Sequence, residues 1–247
     1  MEGLRGAVRA RGDRYREASL ILSVVKALRL AKQRYTYREL AAATGIPAPN
    51  LSRYITGRSL PAPDTARRIL EGLQRLADPR KQLAQRMAET GGLVDTTAVL
   101  TDPLSLLLAT LHYASKYKDH GITRILVPEA SGIPLATMLS QELETPYTLA
   151  RKTQNPQPGS QCSTSTPVLC IPKGSLTRTD RVLIVDDIVE TGATLRALRE
   201  IIEKTGAKLA AVAALVAVGE QWKKTSGIQE VDALINLTKP AKRLPSL

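Results

Sequence analysis

The residues best equipped for chemistry in this chain lie in one short run. Asp186 and Asp187 form an acidic pair, and Glu190-Thr191-Gly192-Ala193-Thr194 follows after an Ile188-Val189 spacer. Adjacent carboxylates accept hydrogen bonds from hydroxyls such as those of a sugar. A small-residue loop at a helix start offers backbone N–H groups and the positive helix end to a phosphate. The run therefore suits a molecule carrying both hydroxyls and phosphate. Two other phosphate-binding patterns do not fit. No Gly-Lys-Ser/Thr follows, as a P-loop would need, and Gly192 is the run's single glycine, too few for a dinucleotide fingerprint.

Several elements must position these residues. Val182 to Val185 are four branched apolar residues, which predicts a strand buried on both faces with the acidic pair at its end. Leu195 to Lys204 reads as the amphipathic helix beyond the loop. Upstream, 122–128 reads as a second apolar strand. Glu129-Ala130-Ser131-Gly132 follows it, and then a helix from Ile133-Pro134 to about Glu142. Proline suits a helix start because its missing N–H would be unpaired there anyway. Residues 146–152 read as a strand ending in Arg151-Lys152. The Gln-, Pro-, Gly- and Ser-rich stretch 153–167 reads as a flexible excursion, with 168–171 returning as a hairpin strand. Strands over 210–218 and 231–237 complete the set. This alternation predicts a mainly parallel sheet with helices on both faces, its ligand at the carboxyl ends of the strands.

The run 182–195 resembles the phosphoribosyl diphosphate (PRPP) motif of type I phosphoribosyltransferases, an apolar strand, two acids, a spacer and Thr-Gly-Gly/Ala-Thr. Glu129-x-x-Gly132-Ile-Pro-Leu-Ala resembles that family's pyrophosphate loop, with Ser131 where arginine is frequent. The resemblance implies roles for each residue. Asp186 and Asp187 would hold ribose hydroxyls. Glu190 would belong to the same ligand-binding run, and Thr191, Gly192, Ala193 and Thr194 would enclose the 5′-phosphate. Glu129, Ala130, Ser131 and Gly132 would face the pyrophosphate, with Arg151 and Lys152 as loop contacts. Mg2+ would be held mainly through PRPP, with no ligand set from the protein alone. The family also pairs as dimers, which implies a homodimer here. In the excursion and just beyond it, Lys173 and Arg178 are the cations found, a thin complement for stabilising a departing pyrophosphate. The tail, 236–243, could cover the site but carries no aromatic residue to stack a base.

The first third differs in composition. Residues 1–90 hold 18 Lys or Arg against 8 Asp or Glu, whereas 91–247 hold 17 against 15. A charge concentrated in one region points to an acidic polymer, nucleic acid first. Within it, 37–43 and 49–55 read as short helices around the Thr44-Gly45-Ile46-Pro47 turn, a helix-turn-helix plan. Leu40, Ala41, Ile46, Leu51 and Ile55 would face inward. The pattern resembles Cro/repressor-type domains, with further helices over 15–30 and 64–76. Arg38, Asn50, Ser52, Arg53 and Arg58 are the candidate contacts to double-stranded DNA. A helical connector over 78–90 and a Gly91-Gly92 break predict domains of 1–92 and 93–247.

No run approaches the length of a transmembrane helix, and the start lacks the apolar core of a secretory signal, so a cytoplasmic protein with no membrane partner is expected. Cys162 and Cys170 could close a hairpin or stay as free thiols, and His112 and His120 make no metal spacing with them. With no phenylalanine and one tryptophan, the core must be aliphatic. Joined, the two regions resemble archaeal-type transcriptional regulators that fuse a helix-turn-helix to an orotate-like phosphoribosyltransferase domain, similar in logic to bacterial purine repressors. That resemblance implies a DNA-binding regulator of nucleotide-metabolism genes that senses PRPP or a nucleotide rather than turning it over. The alternative is an active orotate- or purine-type phosphoribosyltransferase with an appended basic domain.

Overall fold

The computed structural model describes residues 2–90, 93–153 and 156–238, with side chains from residue 14 onward. The Gly91-Gly92 break and the tail beyond 238 lie outside the described residues. The chain forms two compact units, Met1–Pro79 with Pro103–Leu108, and Arg80–Asp102 with Ala109–Leu247.

The first unit is helical. It contains α1 (Glu2–Lys32), α2 (Tyr37–Thr44), α3 (Ala48–Ile55) and α4 (Pro63–Leu76). The long α1 extends well beyond the expected 15–30. Thr36 and Glu39 close a reciprocal capping box at the start of α2. Gly45 ends α2 in the left-handed conformation (φ 68°), which turns the chain into α3. Val24, Leu28, Leu40, Leu51, Ile69 and Leu73 make a fully buried aliphatic core, with Ile46 beside them and Ala41 and Ile55 half-buried. Gly72 on α4 sits against the end of α2. A Cβ there would lie 2.6 Å from the Ala43 carbonyl oxygen and 2.7 Å from Thr44 Cα.

The second unit carries the sheet. Ahead of the sheet in sequence come α5 (Pro79–Glu89), α6 (Thr97–Leu100) and α7 (Pro103–Tyr117), the last with its first six residues in the first unit, and α8 (Ile133–Glu142), α9 (Ala193–Thr205) and α10 (Gln221–Ser226) come between its strands. Its strands are β1 (Arg124–Pro128), β2 (Tyr147–Lys152), β3 (Gln161–Cys162), β4 (Leu169–Ile171), β5 (Arg181–Val189), β6 (Lys208–Val218) and β7 (Asp232–Leu237). They form one seven-stranded sheet in the order β3-β4-β2-β1-β5-β6-β7. The five strands from β2 to β7 run parallel, and β4 and β3 pair antiparallel at one edge. The order reverses between β1 and β5, and a ligand crevice is expected at such a switch point.

Two details differ from the sequence reading. β5 does not end at Val185. It continues through both aspartates to Val189, because β6 keeps pairing with it from Asp186↔Ala214 to Val189↔Ala217. The acidic pair therefore sits inside a strand. The excursion also contains a strand, β3, and Cys162 faces Cys170 across the β3–β4 pair in a disulfide. The carboxylate of Glu200, on α9, gathers the next turn, accepting from Thr164 N (2.8 Å), Thr164 Oγ1 (3.0 Å) and Ser165 N (3.1 Å). Among the described residues no helix is long and apolar enough to cross a membrane.

Candidate ligand site and nucleic-acid interface

At the switch point the carboxyl ends of β1 and β5 open into a cavity of about 390 Å³. Its lining takes Glu129, Ala130 and Ser131 from the loop after β1, Asp186 and Asp187 from β5, and Glu190 and Thr194 from the loop into α9. Lys152 at the end of β2 completes the polar wall, and Val94, Pro128, Leu169, Ile188 and Val218 supply apolar surface. Three segments far apart in sequence thus meet in one place. Of the other expected residues, Thr191, Gly192, Ala193 and Gly132 shape the loops without lining the cavity, and Arg151 is exposed on β2.

Local backbone explains the glycines. Gly132 packs against β5, where a Cβ would approach Asp186 Cα and the Val185 carbonyl oxygen to 3.2 Å. Gly192 caps α9 at φ 79°, and a Cβ there would lie 2.6 Å from Trp222 Cα. Ala193 N donates to Thr191 Oγ1 (3.4 Å), and Arg196 N to the Gly192 carbonyl oxygen (2.9 Å). The early amides of α9 have no carbonyl within the helix to bond, so they remain suited to an anion.

Asp186 is 8 % exposed and accepts from the Asp187 amide (2.9 Å). Burial, then the charge of Asp187, push its carboxyl well above the usual carboxylate range, while the Asp187 amide and Lys152 pull the other way. Asp187 Oδ2 accepts from Thr96 Oγ1 at 2.8 Å. Thr96 is buried and lies just ahead of α6. Nothing in the local sequence marks it, because the contact spans 91 residues. Among the described residues no group of three or more His, Cys, Asp or Glu could hold a metal.

A larger opening of about 970 Å³ lies along β6, β7 and α10. It contains none of residues 129–132 or 186–194, and its lysines Lys116 and Lys223 are ion-paired to Asp232 and Glu220.

The first unit presents a separate surface. Arg38 on α2, Asn50 and Arg53 on α3, and Arg58 just beyond α3 are exposed, with Ser52 half-buried. Other arginines serve the fold. Arg68 and Arg75 donate to the Gly45 and Ala43 carbonyls at the end of α2 (3.3 and 3.2 Å), and Arg67 pairs with Asp64 and Glu17.

Comparison with known proteins bears on both units. Residues 98–237 match the phosphoribosyl transferase domain family, and residues 25–78 match a helix-turn-helix family. A hypoxanthine/guanine phosphoribosyltransferase of Methanohalophilus mahii is 36% identical over 121 residues, 47% of this chain and 62% of that protein. An adenine phosphoribosyltransferase of Kosmotoga olearia is 32% identical over 144 residues, 55% of this chain and 84% of the relative. Among solved structures, the adenine phosphoribosyltransferases of Thermoanaerobacter pseudethanolicus and Rhodothermus marinus each superpose with a TM-score of 0.53 at 24% identity. Each covers 58% of this chain, and 86% and 85% of those chains respectively. At that identity the superposition speaks to fold alone.

Proposed function

The chain belongs to the phosphoribosyl transferase domain family and carries a helix-turn-helix domain ahead of it, and on that premise we propose that it is a DNA-binding transcriptional regulator whose cavity senses PRPP or a nucleotide. One observation carries the reading. A cavity lined by an acidic pair and by residues of the loop into α9 occurs in a chain whose basic excess is concentrated on its helix-turn-helix third. The functional division is drawn at 1–92 and 93–247, and the expected target is a control region of nucleotide-metabolism genes.

In the proposed complex Asp186 and Asp187 accept from the ribose hydroxyls. Thr191 to Thr194 surround the 5′-phosphate with backbone amides, and Glu190 lines the cavity beside them. The 129–132 loop faces the pyrophosphate, and Lys152 offsets its charge. Mg2+, held mainly through PRPP, would neutralise pyrophosphate charge. Arg53 and Arg58 meet the DNA backbone, Arg38 flanks them, and Asn50 and Ser52 face the groove. Two copies engage a two-fold site, as helix-turn-helix dimers do. Ligand alters DNA affinity to the extent that it binds the two DNA-affinity states unequally.

A second reading has its own support. The relatives named above are hypoxanthine/guanine and adenine phosphoribosyltransferases, so turnover with a nucleobase is the competing activity. One experiment separates the two. Binding of the full chain to its own upstream DNA is measured at fixed salt, because phosphate contacts make affinity salt-dependent. It is repeated with PRPP and Mg2+, beside an assay for nucleotide formation from adenine, hypoxanthine, guanine and xanthine. The regulator reading expects specific binding that PRPP shifts and Asp187→Asn leaves unresponsive. It also expects Arg53→Ala to weaken DNA binding and lower the salt slope by about one. Nonspecific binding alone, accompanied by turnover, would overturn it.

A further inference from the structure

Asp187 already has a hydroxyl partner, and that partner comes from the protein. Thr96 Oγ1 donates to Asp187 Oδ2 at 2.8 Å, the usual length of a hydroxyl hydrogen bond. The residue is 5 % exposed, and Val94, two positions earlier, lines the same cavity. The other carboxylate is partly engaged too, since Asp186 Oδ1 accepts the Asp187 amide. A sugar hydroxyl that approaches Asp187 Oδ2 meets an oxygen that a threonine hydroxyl already engages.

We propose that Thr96 is a built-in stand-in for a sugar hydroxyl, so that ligand enters the acidic pair by displacing the 93–97 segment. The proposal rests on the ribose-binding role given to Asp186 and Asp187 above. It adds a consequence for the segment itself. Asp95 accepts from Arg86 Nε on α5 at 2.8 Å and from the Thr97 amide at 3.0 Å, while Thr90 Oγ1 donates to the Leu93 carbonyl at 3.0 Å. Residues 93–97 are therefore clasped to α5 at one end and to the ligand site at the other. Releasing Thr96 from Asp187 removes one tie of a segment that is otherwise held to α5 through Asp95 and to α6 through the Thr96 carbonyl, which accepts from the Val99 and Leu100 amides (both 3.0 Å). Along the chain, α5 follows α4 of the helix-turn-helix unit after two residues. Occupancy of the sugar site thereby loosens the segment that follows α5.

The test uses the full chain and PRPP with Mg2+ as the probe. Thr96→Val keeps the shape of the side chain and removes its donor, and Thr96→Ser restores the donor. Calorimetry should find PRPP bound about tenfold tighter by Thr96→Val, the size of one hydrogen bond that no longer has to be broken. Thr96→Ser should bind like the parent. Amide exchange over residues 93–101 of the parent should speed up when PRPP binds. If the parent binds PRPP and Thr96→Val binds equally or more weakly, Thr96 supports the ligand instead of competing with it, and this inference falls alone. Slower exchange over 93–101 in the bound parent overturns it as well, and needs no variant to fold. A parent that binds no PRPP removes the ribose reading and this inference together.

Discussion

Replacing Gly192 by alanine tests how tightly the loop into α9 is built against its neighbours. Gly192 has φ 79°, and its added Cβ would lie 2.6 Å from Trp222 Cα, 2.7 Å from the Trp222 carbonyl oxygen and 3.0 Å from Trp222 Cβ. Two costs follow. The left-handed backbone costs a residue with a side chain about 1–2 kcal/mol. The collision is with backbone and cannot be relieved by a rotamer, so overpacking adds about 1–3 kcal/mol. Gly174 separates the two terms. It has φ 76° and nothing within 4 Å of its added Cβ, so Gly174→Ala bears the backbone cost alone. The variants should differ by about 1–3 kcal/mol, which for a unit of this size is roughly 2–12 °C in melting temperature. Trp222 is the only tryptophan in the chain and is 5 % exposed. Its fluorescence therefore reports the sheet-bearing unit selectively, which matters because two units need not melt together. Gly192→Ala should also weaken PRPP binding, whereas Gly174→Ala should not. Equal melting shifts for the two variants would refute the close approach of the loop to α10.

Two further predictions concern other joints of the structure. Burial raises the proton affinity of Glu200, but the donors from Thr164 and Ser165 outweigh it and hold the carboxyl down at about 2. A depressed acid contributes stability above its unfolded value, near 4.5, and loses it as pH falls towards 2. The melting difference between the parent and Glu200→Gln should therefore shrink as pH drops from 5 to about 2.5, and a difference constant across that range would contradict the clamp. Gly72→Ala forces a Cβ to within 2.6 Å of the Ala43 carbonyl oxygen, between α4 and α2. It should destabilise the helical unit by about 1–3 kcal/mol and abolish specific DNA binding while leaving PRPP affinity unchanged, as gel shift and calorimetry would report.

Much of the site was legible because its marks are local. The Val182–Val185 run, the acidic pair and Thr191-Gly192-Ala193-Thr194 all fall within one strand, loop and helix start, and α8 begins at Ile133 where the proline predicted. What was not legible depends on partners distant in sequence. Aspartate is poor in strands, so the end of β5 was expected at Val185, yet pairing with β6 carries the strand on to Val189. α10 has six residues, too few for a periodic signal, and shows itself only through its packing on Gly192. The spacing of Cys162 and Cys170 left their state open, and the antiparallel register of β3 and β4 brings them face to face. Thr96 carries no mark because its partner is 91 residues away.

The acidic pair is also where structural economy and the proposed function diverge. A buried carboxylate beside another costs stability twice, through lost hydration and like-charge repulsion. Asp186 incurs both at 8 % exposure. The central strand of a parallel sheet would be more stable with another branched apolar residue there, as at each position from Val182 to Val185. The arginines of the first unit divide in the same way. Arg67, Arg68 and Arg75 are accounted for by ion pairs and helix-end carbonyls, so they weigh little in an argument for nucleic acid. Arg38 lies exposed on the first helix of the helix-turn-helix, and Arg53 and Arg58 on and just beyond its second. The case for a DNA-binding sensor therefore rests on a few residues, namely the carboxylates that weaken β5 and the cations that the helical bundle does not use.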